Sequence, residues 1–100
     1  MRYKLGDEVK IKTWDQMRRE FGVNIDLDGD PSIKCDKNFP LEMEKCFKIN
    51  SERILTIDRL FHKDDYYFVE ENKWCWTDDM IEYSLSEFNP INNRFEILDL

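Results

Sequence analysis

The sequence predicts a mainly β chain with short helices, folded as one small, strongly bent β-barrel with a helical insertion after the first strand. Three observations predict it. Val9 and Ile11 alternate with Glu8, Lys10 and Lys12, the period of two expected of a half-buried strand. Residues 53–77 hold no 3.6-residue period and instead carry β-branched and aromatic runs separated by polar turns, which excludes a helical bundle. At 100 residues, with three glycines and three prolines, the chain supports a single core and is neither fibrous nor low-complexity. The expected organisation is one domain over 1–100. Residues 14–52 form the insertion and 84–100 a C-terminal extension.

Each element follows from local chemistry. Gly6-Asp7 is turn chemistry ahead of the first strand. Trp14, Met17 and Phe21 then recur at helical spacing. Thr13 is placed to cap that helix, Asp15 to favour its positive end and Gly22 to stop it. Residues 24–38, rich in Asp, Asn, Gly and Pro, read as a loop. Pro40 suits the first turn of a second short helix with Met43, Cys46 and Phe47 on one face. Residues 53–61 (RILTIDRLF) form a strand with Leu55, Ile57 and Phe61 expected on one face, although Ile54 and Leu60 make both faces partly apolar. Lys63-Asp64-Asp65 turns the chain into Tyr66–Val69, a strong strand by composition. After Glu71-Asn72-Lys73, residues 73–77 (KWCWT) return antiparallel, with Trp74 and Trp76 on the face opposite Cys75. Residues 78–81 suit a short helical turn, Ser84 and Glu87 have capping-box spacing, and residues 94–98 (RFEIL) alternate as a last strand.

Charge and thiols narrow the function classes. The net charge is −7, and residues 62–87 carry eight acids against two bases. Such a field repels phosphate backbones and attracts basic surfaces, so direct nucleic-acid binding is not expected. Cys35, Cys46 and Cys75 are odd in number and lack CxxC spacing, which suits free thiols in a reducing cytoplasm and neither a disulfide framework nor a zinc site. His62 is the sole histidine, and no local signature joins it to a cysteine as a catalytic dyad. The early charges leave no apolar core for a secretory leader, and no run is long enough to span a bilayer. The expectation is a soluble, cytoplasmic protein without enzymatic activity, catalytic residues or cofactor.

The segment Gly6-Asp7-x-Val9-x-Ile11-Lys12-x-Trp14 resembles the first strand of SH3-like barrels. The later order is similar as well: Leu55-Thr56-Ile57, then Tyr66 to Glu71, then Trp74-x-Trp76-Thr77-Asp78-Asp79-Met80-Ile81-Glu82. Together these resemble small SH3-like proteins of bacteriophages and mobile elements of Gram-positive bacteria, and distantly the SH3-like repeats of Mind-bomb-type ubiquitin ligases. The resemblance covers residues 3–13 and 53–83. It implies a non-enzymatic protein-binding module and, with a phage origin, an anti-CRISPR-like inhibitor that blocks a host defence nuclease.

Two constellations point to a partner surface and one to a cation. Trp14, Tyr66, Tyr67, Trp74 and Trp76 are candidate binding aromatics, because such side chains bury much area at little entropic cost. They serve equally as core in a chain with few Leu and Val. Asp64, Asp65, Glu70, Glu71, Asp78, Asp79 and Glu82 form an acid run. Gathered on one face, they would mimic a nucleic-acid backbone and meet a partner's basic surface. Asn24, Asp26, Asp28 and Asp30, with Gly29, match the first half of an EF-hand loop, but Cys35 stands where the closing bidentate Glu belongs. Weak calcium or small-ligand binding through that loop is the alternative function, and self-association through the aromatic face another.

Overall fold

A computed structural model of the protein describes residues 1–25, 27–35, 37–48 and 51–87. Its main sheet has five antiparallel strands, residues 75–76, 66–69, 54–61, 8–11 and 81–84 in that order across the sheet. Next to the central strand, β1 (Glu8–Ile11) buries Val9 and Ile11, the alternation visible in the sequence. Val9 lies opposite Leu55 on β5 (Ile54–Phe61) and opposite Ser84 on β8 (Ile81–Ser84). β6 (Tyr66–Val69) and the two-residue β7 (Cys75–Trp76) continue the meander outward from β5. Among the described residues β7 and β8 are the two edges and do not pair with each other, so the sheet is open and a closed barrel is not formed. The chain is thus mainly β with a few short helices.

α1 (Trp14–Phe21) forms as its sequence predicts. The Gln16 N–H donates to Thr13 Oγ1 at 3.1 Å, and the Thr13 N–H donates to Gln16 Oε1 at 2.7 Å, a reciprocal cap. Gly22, at φ 81°, ends the helix and turns the chain out, its N–H reaching Arg18 C=O at 2.9 Å. Met17 is fully buried, with Trp14 and Phe21 packed against the core on either side of it.

Residues 24–38 are not the loop their composition suggests. They contribute to a second antiparallel sheet, β2 (Val23–Ile25), β3 (Pro31–Lys34) and β4 (Asn38–Pro40), in that order. Val23 pairs with Ile33, and Ile33 with Phe39. Burial of Ile33 and Phe39 outweighs local turn propensity, and strands of three or four residues are too short to show a period. The insertion is therefore a small sheet as well as helices. Pro40 precedes α2 (Leu41–Glu44), and a 3-10 turn, Lys45–Lys48, follows it, burying Met43 and Phe47 and half-burying Cys46. Arg53 ties this insertion to the end of β1 through Glu44 and the Ile11 and Lys12 carbonyls.

A bulge between Ile57 and Arg59 corrects the face expected for β5. Leu55 and Ile57 point inward, but past the bulge Leu60 packs against the core while Arg59 and Phe61 are exposed. The Asp78–Met80 turn is 3-10 helical, as expected. Strand β8 was not legible, because Ile81-Glu82-Tyr83-Ser84 earns its ladder only by lying beside β1. Glu87 accepts the Ser84 N–H at 2.9 Å, the backbone half of the anticipated capping box. The strand expected at 94–98 lies outside the described residues.

Candidate functional site

Strand alternation divides the candidate aromatics between two faces of the sheet. Tyr67 and Trp76 point inward and are fully buried. The Tyr67 hydroxyl donates to Asp78 and accepts the Tyr3 N–H at 3.0 Å, joining the chain's start to the 3-10 turn. Asp78 also accepts the Arg2 N–H at 3.4 Å. Trp76 donates its indole N–H to Asn72 Oδ1 at 3.2 Å, and the Trp74 N–H reaches the same oxygen at 3.0 Å. These two aromatics and Asp78 therefore hold the fold.

Burial, then the adjacent Asp78 carboxylate, raises the Tyr67 phenol well above its ordinary value of 10.0. The folded chain keeps a proton that the unfolded chain releases. That contribution to stability is complete below about pH 10 and is lost as pH rises above it. Denaturant unfolding should show stability declining above about pH 10, and Tyr67→Phe should shrink that decline. An undiminished alkaline decline in the variant would assign the effect to other groups.

The outward face carries a separate aromatic cluster. Phe61 stacks on Tyr66 with ring centroids 5.0 Å apart, and Phe68 meets Tyr66 edge-on at 5.6 Å. The Arg59 guanidinium lies over Phe68 at 4.4 Å and the Lys37 ammonium over Tyr66 at 4.9 Å. Phe61 and Phe68 were not among the sequence candidates. For Phe68 the signal was present: in Tyr66-Tyr67-Phe68-Val69 the odd and even positions must face opposite ways. For Phe61 it was absent, because the bulge is not encoded in any local pattern.

Tyr66 and Trp74 both reach a run of adjoining clefts between β4 and β7, the facing edges of the two sheets. The first cleft, about 410 Å³, is lined by Lys37, Asp64, Asp65, Tyr66 and Thr77. Lys37 also lines the second, of about 410 Å³, with Pro40, Met43, Lys73, Trp74 and Cys75 among its walls. Pro40 and Trp74 lead on to a third, of about 270 Å³, bounded by Asp28, Asp30, Leu41, Glu42 and Lys45. Half-buried aromatic and proline walls, with Lys37 and Lys73 on the middle cleft and carboxylates on the outer two, suit an extended segment whose apolar side chains alternate with charges. Trp14, the fifth candidate, packs on Phe39 at 5.8 Å.

The acid run does not converge on one face. Asp64 and Asp65 sit in the β5–β6 turn beside the first cleft. Glu70 and Glu71 follow β6 at its other end, where Glu71 accepts the Thr56 N–H and hydroxyl, both at 2.8 Å. Asp79 accepts the Thr77 hydroxyl, and Glu82 accepts from Gln16 Nε2 at 3.1 Å on the far edge strand. Several of these carboxylates thus serve as internal acceptors, and Asp64 and Asp65 are the pair beside the groove.

The candidate cation loop is also rearranged. Asn24 lies within β2 opposite Ser32, Asp28 and Asp30 line the third cleft, and Asp26 lies outside the described residues. Among the described residues no group of three or more His, Cys, Asp or Glu side chains is placed to hold a metal ion. Cys35, Cys46 and Cys75 form no disulfide, and burial raises the Cys46 thiol above its ordinary range. Among the described residues no helix is long and apolar enough to cross a membrane. No family model, curated protein or solved structure matches the chain.

Proposed function

We propose that the chain is a non-enzymatic protein-binding module of SH3-like architecture whose β4–β7 groove takes an extended, basic and apolar segment of another protein. The observation that carries this reading is the placement of Tyr66 and Trp74, both part-exposed, in two clefts that share Lys37, the first of them bounded by Asp64 and Asp65. The SH3-like reading is supported by five antiparallel strands in the order β7-β6-β5-β1-β8, a long bulged β5 shared by both halves of the sheet, and a 3-10 turn before β8. In the inhibitor form of this reading, the captured segment borders the basic groove of a defence nuclease. Net charge sets the encounter rate, and the aromatics set the residence time.

A displayed library of random peptides tests the groove directly. Wild-type protein should enrich sequences in which Lys or Arg flanks an apolar residue. Trp74→Ala should weaken a selected peptide by about tenfold or more, the scale of an aromatic hot spot. Asp64→Lys should act mainly on the association rate at low salt. Asp64 is the better probe than Asp65, which adopts a left-handed φ of 58°, or Asp78, which holds Tyr67. No enrichment, or peptides bound equally by Trp74→Ala, would sink the proposal.

A further inference from the structure

One cleft on the insertion runs against the chain's net charge of −7. Its volume is about 330 Å³, at the small end of ordinary ligand sites, and Glu44, Lys45, Phe47, Lys48, Ser51 and Arg53 line it. The 3-10 turn Lys45–Lys48 is what brings two ammonium groups to it. At about three residues per turn, side chains at i and i+3 eclipse, so Lys45 and Lys48 stand on one side of the turn. Like charges in that relation repel each other, and no carboxylate relieves them. Among the described residues neither lysine forms an ion pair. Lys45 also borders the third cleft with Asp28, Asp30 and Glu42, but pairs with none of them.

Glu44, the one acid in the lining, is already neutralised, because both its oxygens meet the Arg53 guanidinium. Arg53, 8% exposed, commits four of its five N–H donors to Glu44 and to the Ile11 and Lys12 carbonyls. One Nη1 hydrogen is left over. With Glu44 and Arg53 cancelling, the lining carries the two uncompensated charges of Lys45 and Lys48, together with the Ser51 hydroxyl and that remaining donor. We propose that this cleft binds a phosphate dianion. Its two negative charges match the two lysines, and its tetrahedral oxygens accept from several sides at once, as donors from both the 3-10 turn and residues 51–53 require. The cleft has room for more than a bare phosphate, and Phe47 supplies an apolar wall for the organic group of a small monoester.

Nitrogen–proton NMR correlation spectra of the full chain, titrated at about pH 8 where both probes are dianions, test this with inorganic phosphate and with phenyl phosphate. Each should give saturable shifts centred on the amides of Lys45 to Lys48 and Ser51 to Arg53, which sodium chloride at matched ionic strength does not reproduce. Tighter binding of phenyl phosphate would identify the ligand as a small phosphate monoester, and equal binding would identify it as free phosphate. Lys45→Gln with Lys48→Gln should weaken both by at least about tenfold. The phosphate-free melting temperature of that variant should not fall, because both side chains are exposed and their repulsion is removed. Arg53 is left intact, since it also holds the fold. Shifts that do not saturate, that chloride reproduces, or that centre elsewhere overturn the proposal. So does a folded double variant that binds phosphate as tightly as wild type.

Discussion

Arg53→Met should lower stability by about 3–5 kcal/mol, and the melting temperature by more than about 10 °C, while the neighbouring surface arginines tolerate the same change. The difference lies in what the side chain holds. Arg53 is 8% exposed, and its guanidinium meets both oxygens of Glu44, at 2.6 and 2.9 Å. It also donates to the carbonyls of Ile11 at 3.2 Å and Lys12 at 2.5 Å, and covers the Phe47 ring at 4.1 Å. Removing it strands a part-buried carboxylate and two carbonyls at once. It also unfastens α2 and the 3-10 turn after it from the end of β1. Arg18, by contrast, makes an exposed pair with Asp15, whose loss is worth under about 1 kcal/mol. The double change Arg53→Met with Glu44→Met should recover part of the loss, because neither charge is then left alone. Chemical denaturation of the three variants measures all of this. A single variant within about 1 kcal/mol of wild type would mean that the pair is solvated and the insertion is held by packing alone.

Trp76→Ala should be comparably severe, at about 3–5 kcal/mol. The indole is fully buried between Phe39 and Phe47, with centroid distances of 5.9 and 5.7 Å. Those two rings belong to the insertion and Trp76 to the edge strand of the main sheet, so this side chain welds the two sheets into one core. Its truncation should weaken both together and leave a single unfolding transition. Trp76→Phe should cost less, because most of the volume remains and Asn72 Oδ1 keeps the Trp74 N–H. Two resolved transitions in wild type, one for each sheet, would refute the shared core.

Local chemistry was legible wherever an element depends on neighbours a few residues away. The Thr13 cap, the Gly22 stop, the inward Val9 and Ile11, and the inward Leu55 and Ile57 follow from spacing alone. Elements that exist only through pairing were not legible: β2, β3 and β8 have no distinctive pattern and are strands because Ile33 meets Phe39 and Ile11 meets Ile81. The candidate site divides in the same way. Tyr66 and Trp74 were singled out by type, but so were Tyr67 and Trp76, which hold the fold.

The sequence by itself determined a single small core, a mainly β architecture, the acidic balance and the buried face of β1, because these depend on composition and on contacts between near neighbours. Only the tertiary structure decided where β5 bulges, which carboxylates become internal acceptors and which aromatics line the β4–β7 groove. Those outcomes depend on the order and register in which distant strands pair, and a two-residue period carries no information about which partner stands on the other side.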